Sequence, residues 1–391
     1  MLGAARSDLA RNTGRNQVVW SAVISRRNRN IQHACSYQIV TITDRSKEIL
    51  RLLATSGLLS RVAIEQAIEE SRINTIRELG RLVDQELVAT VGEARATVYR
   101  ITGKGRTAVI WDVDEYLAQE LDLREARYTH IEPDLFKTVH GTIPDVPMAI
   151  QIGLQRRREL GNTPTARKER ERFVVELSWK SAKIEGNTYS LLDTERLLED
   201  AKAAPGHAKS EAVMIVNHKK AFDYIWEHQE DYRTLSKGKI EDIHQLLVEG
   251  LDVGFGLRNE PVGITGTVYI PPASQAELGT YMRETVDTIN RLEQPLEKAM
   301  AYLVLLPYLQ AFADGNKRTS RLLANAVLLA YGFPPLSYRS VNIEAYKGAL
   351  IVFYEQGSFA NFRQLFLDQL AESSISYFFP LSDPEGTDDL P

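Results

Sequence analysis

The chain has 391 residues, a single cysteine and a formal net charge of −5. Cys35 alone excludes an intrachain disulfide and a cysteine-rich zinc cluster. The acidic balance argues against a protein that coats nucleic acid through bulk charge, although a local basic face fits the same total. No run approaches the ~20 apolar residues that span a bilayer, so no membrane partner is expected. The cysteine usage suits the reducing cytoplasm, and the length allows two domains with separate cores.

Residues 1–42 carry Arg6, Arg11, Arg15, Arg26, Arg27 and Arg29 against one acid, Asp8. The apolar run Val18–Ile24 is short, with no small-residue cleavage pattern behind it. A basic disordered arm, or an extension outside the fold, is favoured over a transit-like leader. From Thr43 the pattern turns helical. Ile49, Leu50, Leu52, Leu53 and Leu59 are followed by a second stretch with Val62, Ala63, Ile64 and Ile68, with Ser60 as the N-cap between them.

A third helix places Ile76, Leu79, Leu82, Val83 and Leu87 on one side and Arg72, Asn74, Arg77 and Arg81 largely on the other. Alternation over residues 88–91 and 96–101 around Gly92 then predicts a β-hairpin. Three helices and a hairpin over residues 43–106 resemble a winged helix-turn-helix domain. On that resemblance Arg72, Asn74, Arg77 and Arg81 lie on the recognition helix and Arg95 lies near the wing tip. DNA binding through these residues stands beside protein docking or dimerisation, and Glu78, Asp84 and Glu86 dilute the basic face.

Residues 107–146 read as a connector, with an acidic helix-like run over Asp112–Arg127 and then Pro133 and Pro144. Residues 147–375 are a succession of helical patterns read as one domain with its core over about 170–370, and residues 376–391 are a tail whose acidic end, Asp383–Pro391, is expected to be disordered.

The chemistry concentrates in residues 309–321. An apolar helix ending at Leu309 runs into Gln310-Ala311-Phe312-Ala313-Asp314-Gly315-Asn316-Lys317-Arg318, and a second helix leaves it. A loop feeding a helix start presents the amides of Gly315, Asn316 and Lys317 to an anion, with help from the helix dipole. Arg318 and Arg321, three apart, reach over the same anion, and Asp314 offers a carboxylate to a hard divalent cation. The arrangement suits a polyphosphate with Mg2+. A bare Asp-Gly-Asn turn is also an ordinary helix start with two surface arginines, and the length of the run is what favours the first reading.

That run resembles the signature of the Fic (Fido) family, His-x-Phe-x-Asp/Glu-Gly-Asn-Gly/Lys-Arg-x-x-Arg. Phe312, Asp314, Gly315, Asn316, Lys317, Arg318 and Arg321 match it, and Gln310 stands at the histidine position. Ser181-Ala182-Lys183-Ile184-Glu185-Gly186-Asn187 is similar to the family's inhibitory motif, on a helix expected to begin near Arg170. Leu257–Pro272, with Gly266, Thr267, Val268 and Tyr269, resembles the flap that holds a target segment by strand addition, and is expected to be a short hairpin.

The resemblance therefore implies a mainly α fold, a Fic helical bundle with a β-hairpin flap behind the winged helix. It implies AMP transfer from ATP to a Ser, Thr or Tyr hydroxyl of a target protein. It assigns phosphate contacts to the loop amides and Arg318, Mg2+ to Asp314 and the γ-phosphate to Arg321, and it implies that Glu185 pairs with Arg321 so that the nucleotide binds unproductively. It also places the adenine near Tyr354-Glu355-Gln356 and makes a homodimer an expectation.

An amide has no useful basicity near neutral pH, so Gln310 is no general base. Losing one costs about 10²–10⁴ in rate. Three readings follow: a slow adenylyltransferase, or one that recruits a base from His33, His130, His140, His207, His218, His228 or His244; an ATP-gated DNA-binding regulator; and a phosphotransferase, suggested by Lys317. Gln310 itself either donates to a phosphate oxygen, holds the incoming hydroxyl, or marks a site kept for binding alone.

Overall fold

The computed structural model describes residues 43–93, 96–139, 143 and 163–377. The expected arm over residues 1–42, Arg95, and the tail beyond Tyr377 lie outside the described residues.

The N-terminal module runs α1 (Asp44–Ser56), β1 (Leu59–Ser60), α2 (Arg61–Ala67), α3 (Arg72–Asp84), β2 (Val88–Val91) and β3 (Val98–Ile101). Each helix starts on a hydroxyl cap: Thr43 accepts from Ser46 N, Ser60 from Ala63 N and Ser71 from Asn74 N, which satisfies amides that the helix cannot. The strands form one antiparallel sheet in the order β1-β3-β2, with Leu59 opposite Tyr99 and Val88 opposite Ile101. Ile49, Leu53, Ile64, Leu79, Leu82 and Ile101 close a separate small core.

Two inward expectations change here. Ile76 and Val62 are each 48% exposed, and Ile73 is 78% exposed. Glu78 is buried instead, accepting from the Thr43 and Ser46 hydroxyls at 2.7 and 2.8 Å. A carboxylate with that many donors is stable inside, so α3 turns Glu78 in and leaves the two isoleucines out.

The connector is not a free linker. After α4 (Gly103–Thr107), only α5 (Val113–Ala118) and a 3-10 turn (Leu121–Leu123) are helical in the run expected to be helix-like, and α6 (Asp134–Lys137) follows. Gln119 is extended and ends α5, and the chain beyond it follows side chains tied to the helical body. Trp111 N donates to Asn361 Oδ1 at 3.0 Å, and Asn361 Nδ2 returns a bond to Trp111 O at 2.7 Å.

The body comprises α7 (Pro164–Ile184), α8 (Leu191–Asp200), α9 (Lys209–Glu227), α10 (Lys237–Val248), α11 (Gln275–Arg291), α12 (Pro295–Leu309), α13 (Asn316–Ala330), α14 (Ile343–Gln356) and α15 (Ala360–Ser376). α7 begins at Pro164, ahead of the expected Arg170, because Thr163 caps it and proline suits the first helical position. α12 and α13 are buried along nearly their whole lengths. A helix as apolar as α12 belongs at the centre, and α12 and α13 pack against each other there with the other helices around them.

Candidate functional site

The turn between α12 and α13 is built by side chains that close on their own backbone. Gln310 follows α12 in the left-handed region, at φ 48° and ψ 52°, which is uncommon for a residue with a Cβ. Its amide compensates locally. Nε2 donates to the Pro307 carbonyl at 2.8 Å, and Oε1 accepts from Asn316 Nδ2 at 3.1 Å. Asn316 then spans the loop, with Oδ1 accepting from Phe312 N at 2.9 Å and Nδ2 donating to Phe312 O at 2.8 Å. Phe312 is buried and stacks on His244 with ring centroids 3.8 Å apart.

Gly315, at φ 81°, caps α13 without a side chain, but its own amide, expected to face an anion, donates to Asp314 Oδ1 at 2.6 Å, which leaves the Asn316 and Lys317 amides of the first turn. Arg318 and Arg321 on that helix are 1% and 0% exposed and so are not surface arginines. Arg318 Nη2 donates to Asp314 Oδ2 at 2.8 Å, while its Nε and Nη1 are buried without a partner. Arg321 donates through Nε to Ser181 Oγ at 2.9 Å, and through Nη2 to Ser181 O at 2.9 Å and Glu185 Oε1 at 2.8 Å. Its Nη1 is also buried without a partner. Buried N–H groups of this kind are costly, and an anion with several oxygens would satisfy them.

Glu185 reaches this place because α7 ends there. Asn187 N donates back to Ala182 O at 3.1 Å, Gly186 takes φ 97°, and Asn187 Nδ2 ties the turn to Glu211 O on α9 at 3.0 Å. Lys317 Nζ lies 3.9 Å from the second Glu185 oxygen. Burial would raise the Glu185 carboxyl, but Arg321 and Lys317 hold it below its ordinary value. Burial likewise acts to lower the Arg321 pKa, and Glu185 reverses the sign.

The segment expected as a hairpin flap contains no strand. Its backbone bonds elsewhere: Arg258 N donates to Ala311 O at 3.0 Å, and Ile270 N to Thr129 O at 2.8 Å, with one isolated bridge between Ile270 and His130. Thr267 and Tyr269 are buried anchors. Thr267 Oγ1 donates to Glu355 Oε1 at 2.6 Å and Tyr269 OH to Tyr308 O at 2.8 Å. Gly266 O accepts from Arg124 at 2.9 Å, and Val268 N donates to Glu355 Oε1 at 3.2 Å.

Several residues that hold the site carried little signal in the sequence. Arg258 is 4% exposed and donates to the carbonyls of Gln310 at 2.7 Å, Glu260 at 2.6 Å and Pro272, joining the flap to the turn. His244 was detectable by its helical spacing with Ile240, Ile243 and Leu247. Its Nε2 meets Asp314 O at 3.0 Å, and burial lowers its pKa, so it supports the loop from beneath as a neutral ring. His218 is fully buried with neither ring nitrogen partnered, and burial followed by Arg321 and Arg318 pushes its pKa well down. His207 meets the Thr188 hydroxyl at 2.7 Å. His33 and His140 are outside the described residues. Tyr354, Glu355 and Gln356 are all buried, with Glu355 and Gln356 bonded to the connector.

On the N-terminal module, Arg72, Arg77 and Arg81 are exposed and Asn74 is partly buried. Arg77 donates to Asn74 Oδ1 at 3.0 Å and Arg81 to Glu78 Oε1 at 2.7 Å.

The fold and the turn define a helical domain with two buried, incompletely partnered arginines at the start of its central helix. Residues 234–328 match the Fic/DOC family. The protein adenylyltransferase Fic of Aedes aegypti is 30% identical over 184 residues, 45% of this chain and 36% of that protein. The protein of the same name from Culex quinquefasciatus is 31% identical over 179 residues, 44% of this chain and 35% of that protein. The chain thus spans about a third of the length of these relatives. A Fic family protein from Desulfovibrio desulfuricans G20 shares the fold, with a TM-score of 0.51 at 23% identity over 60% of this chain and 73% of that one. No helix of the described residues is long and apolar enough to cross a membrane.

Proposed function

We propose that this chain binds ATP at the start of α13 and transfers AMP to a hydroxyl of a target protein, with Glu185 as its inhibitor. The observation that carries the reading is the Arg321 fork. Ser181 and Glu185 occupy two of its nitrogens while Nη1, with Arg318 Nε and Nη1, is left without a partner. A polyphosphate would satisfy those groups, and its terminal charge would compete with Glu185 for the guanidinium. The curated relatives named as adenylyltransferases support the chemistry.

In that reaction a target oxygen attacks the α-phosphorus, the bond to the bridging oxygen breaks and pyrophosphate leaves. The hydroxyl proton cannot go to Gln310, whose amide is bonded to Pro307 and Asn316. It passes to water or to the target's own groups, and positioning with charge stabilisation supplies the catalysis. Mg2+ fits the mouth of the site. Asp314 has a 59% exposed side chain, and such a cation is commonly held by one or two carboxylates together with substrate phosphates. When bound, it would neutralise phosphate charge.

The N-terminal module has the element order of a winged helix. Arg72 and Arg77 on α3 suit phosphate contacts, whereas the exposed Ile73 and Ile76 on the same helix favour a protein surface as partner. DNA binding and dimerisation remain readings of that helix face.

Intact-mass analysis after incubation with ATP and Mg2+ tests the main proposal on wild type, Glu185→Gly, and Glu185→Gly with Gln310→His. An AMP-sized gain in Glu185→Gly, at least about tenfold above wild type, is the expected result. A gain only with histidine restored would replace the enzyme with an ATP-binding regulator, and no gain in any variant would sink the proposal.

A further inference from the structure

Between the N-terminal module and the helical body lies a cavity of about 510 Å3, within the ~300–1,000 Å3 range of small-molecule sites. Arg100 on β3, Arg106 on α4 and Arg127 in the connector all line it. Among the described residues none of the three makes an ion pair, whereas Arg61, Arg81, Arg172 and Arg339 each meet a carboxylate. The Arg106 guanidinium donates to Ala54 O at a long 3.3 Å, and that of Arg127 to the Tyr128 hydroxyl at 3.0 Å.

Two acids share the wall, and both are engaged. Asp134 pairs with Lys137 at 2.9 Å, and Glu132 Oε1 accepts from Asp134 N at 3.2 Å. Burial lowers the Arg106 pKa, and the neighbouring Arg127 charge lowers it further. Unpaired arginines on an open surface are simply hydrated. Here three from different elements converge on one concavity, and one of them is half-buried.

We propose that this cavity is a second anion site, taking a small phosphate-bearing ligand on Arg106 and Arg127 with Arg100 completing the charge. Guanidinium forks match phosphate oxygens in pairs, and the half-buried Tyr128 ring gives the cavity a flat wall. A half-open concavity of this size between the module and the helical body suits a small molecule and not a duplex. The site is separate from the start of α13, since neither Arg318 nor Arg321 lines it, and the proposal does not depend on AMP transfer. Its wall is joined to the flap. Arg127 N and Tyr128 N both donate to Glu355 O at 2.9 Å, and the Glu355 carboxylate holds Thr267 and Val268.

The test is calorimetric titration of the full chain with inorganic pyrophosphate at about 0.15 M salt, where weak surface attraction is screened. The variants are Arg127→Gln, Arg100→Glu and Lys317→Ala. The first two alter exposed side chains, and melting curves check that all three fold. The expected result is a saturable site whose affinity falls about tenfold or more in Arg127→Gln and in Arg100→Glu but persists in Lys317→Ala. Loss confined to Lys317→Ala would assign the anion to α13 and overturn the second site. Superimposable isotherms in all variants, or no saturable binding by wild type, would overturn it as well.

Discussion

Glu185 meets Arg321 at 2.8 Å and Glu355 meets Arg124 at 3.2 Å, the same two residue types paired in two parts of the molecule. Their surroundings differ. The Glu355 side chain has no exposure, and its carboxylate also accepts from Tyr116 OH at 2.6 Å, Thr267 Oγ1 at 2.6 Å and Val268 N at 3.2 Å. Nothing outside can reach it. Glu185 has a 21% exposed side chain, and its partner keeps a nitrogen without a bond. A charged pair saturated on all sides acts as a rivet between connector, flap and α14. On the proposed function, a pair left open to an incoming anion is a competitor that can be displaced. Structure and the proposed regulation would then use the same chemistry, separated by access.

Substitution sharpens that contrast. Glu355→Ala leaves the nearly buried Arg124 and the flap donors without their acceptor, and should cost about 3–5 kcal/mol in a denaturant melt, with the connector becoming protease-sensitive. Glu185→Ala also leaves the buried Arg321 without its carboxylate, but it should cost less than Glu355→Ala, because Ser181 still holds Arg321 and solvent reaches the vacated place. Equal costs for the two would erase the distinction between rivet and competitor.

Docking of the connector can be attacked without touching a charge. A Cβ on Gly348 of α14 would stand 2.3 Å from Val113 Cγ1 and 3.0 Å from Leu117 Cδ1. Gly348→Ala should then destabilise by about 1–3 kcal/mol through overpacking and loosen the connector before the body melts. Hydrogen exchange across residues 113–124 reads this directly, and unchanged protection there would argue that α5 contributes nothing to the rivet.

The smallest effect is one of pH. His218 and His244 are held neutral, both with pKa values below the ordinary imidazole value. Each binds its proton more readily in the unfolded chain, so stability is present above about pH 6.5 and is lost as the pH falls toward the depressed folded values. The Glu185 carboxyl is also depressed, so its contact is present above the ordinary glutamate range and is lost only as the pH falls through its lower folded value. Between pH 7 and pH 5.5 the melting temperature should therefore fall while Glu185 still occupies Arg321. His218→Leu should flatten that slope. An unchanged slope in His218→Leu would remove that ring from the account.

The sequence by itself determined which residues could bind an anion and in what order they occur. The run from Phe312 to Arg321, the helix carrying Ser181 and Glu185, and the cap at Ser60 are local features, written by composition and by spacing along one segment. The tertiary structure decided what those residues meet. Arg321 became the partner of Ser181 and Glu185, 140 and 136 positions away in the chain, only when α7 packed over α13. The expected hairpin dissolved because the flap backbone found Ala311 and Thr129 as partners, and the connector ceased to be a linker because Tyr116 and Arg124 found Glu355. Gln310 turned inward to Pro307 and Asn316 because its left-handed backbone brings both within reach of its amide. Local pattern records what a residue can offer, whereas long-range packing selects its partner, because the competing donors and acceptors come from segments that only the folded chain brings together.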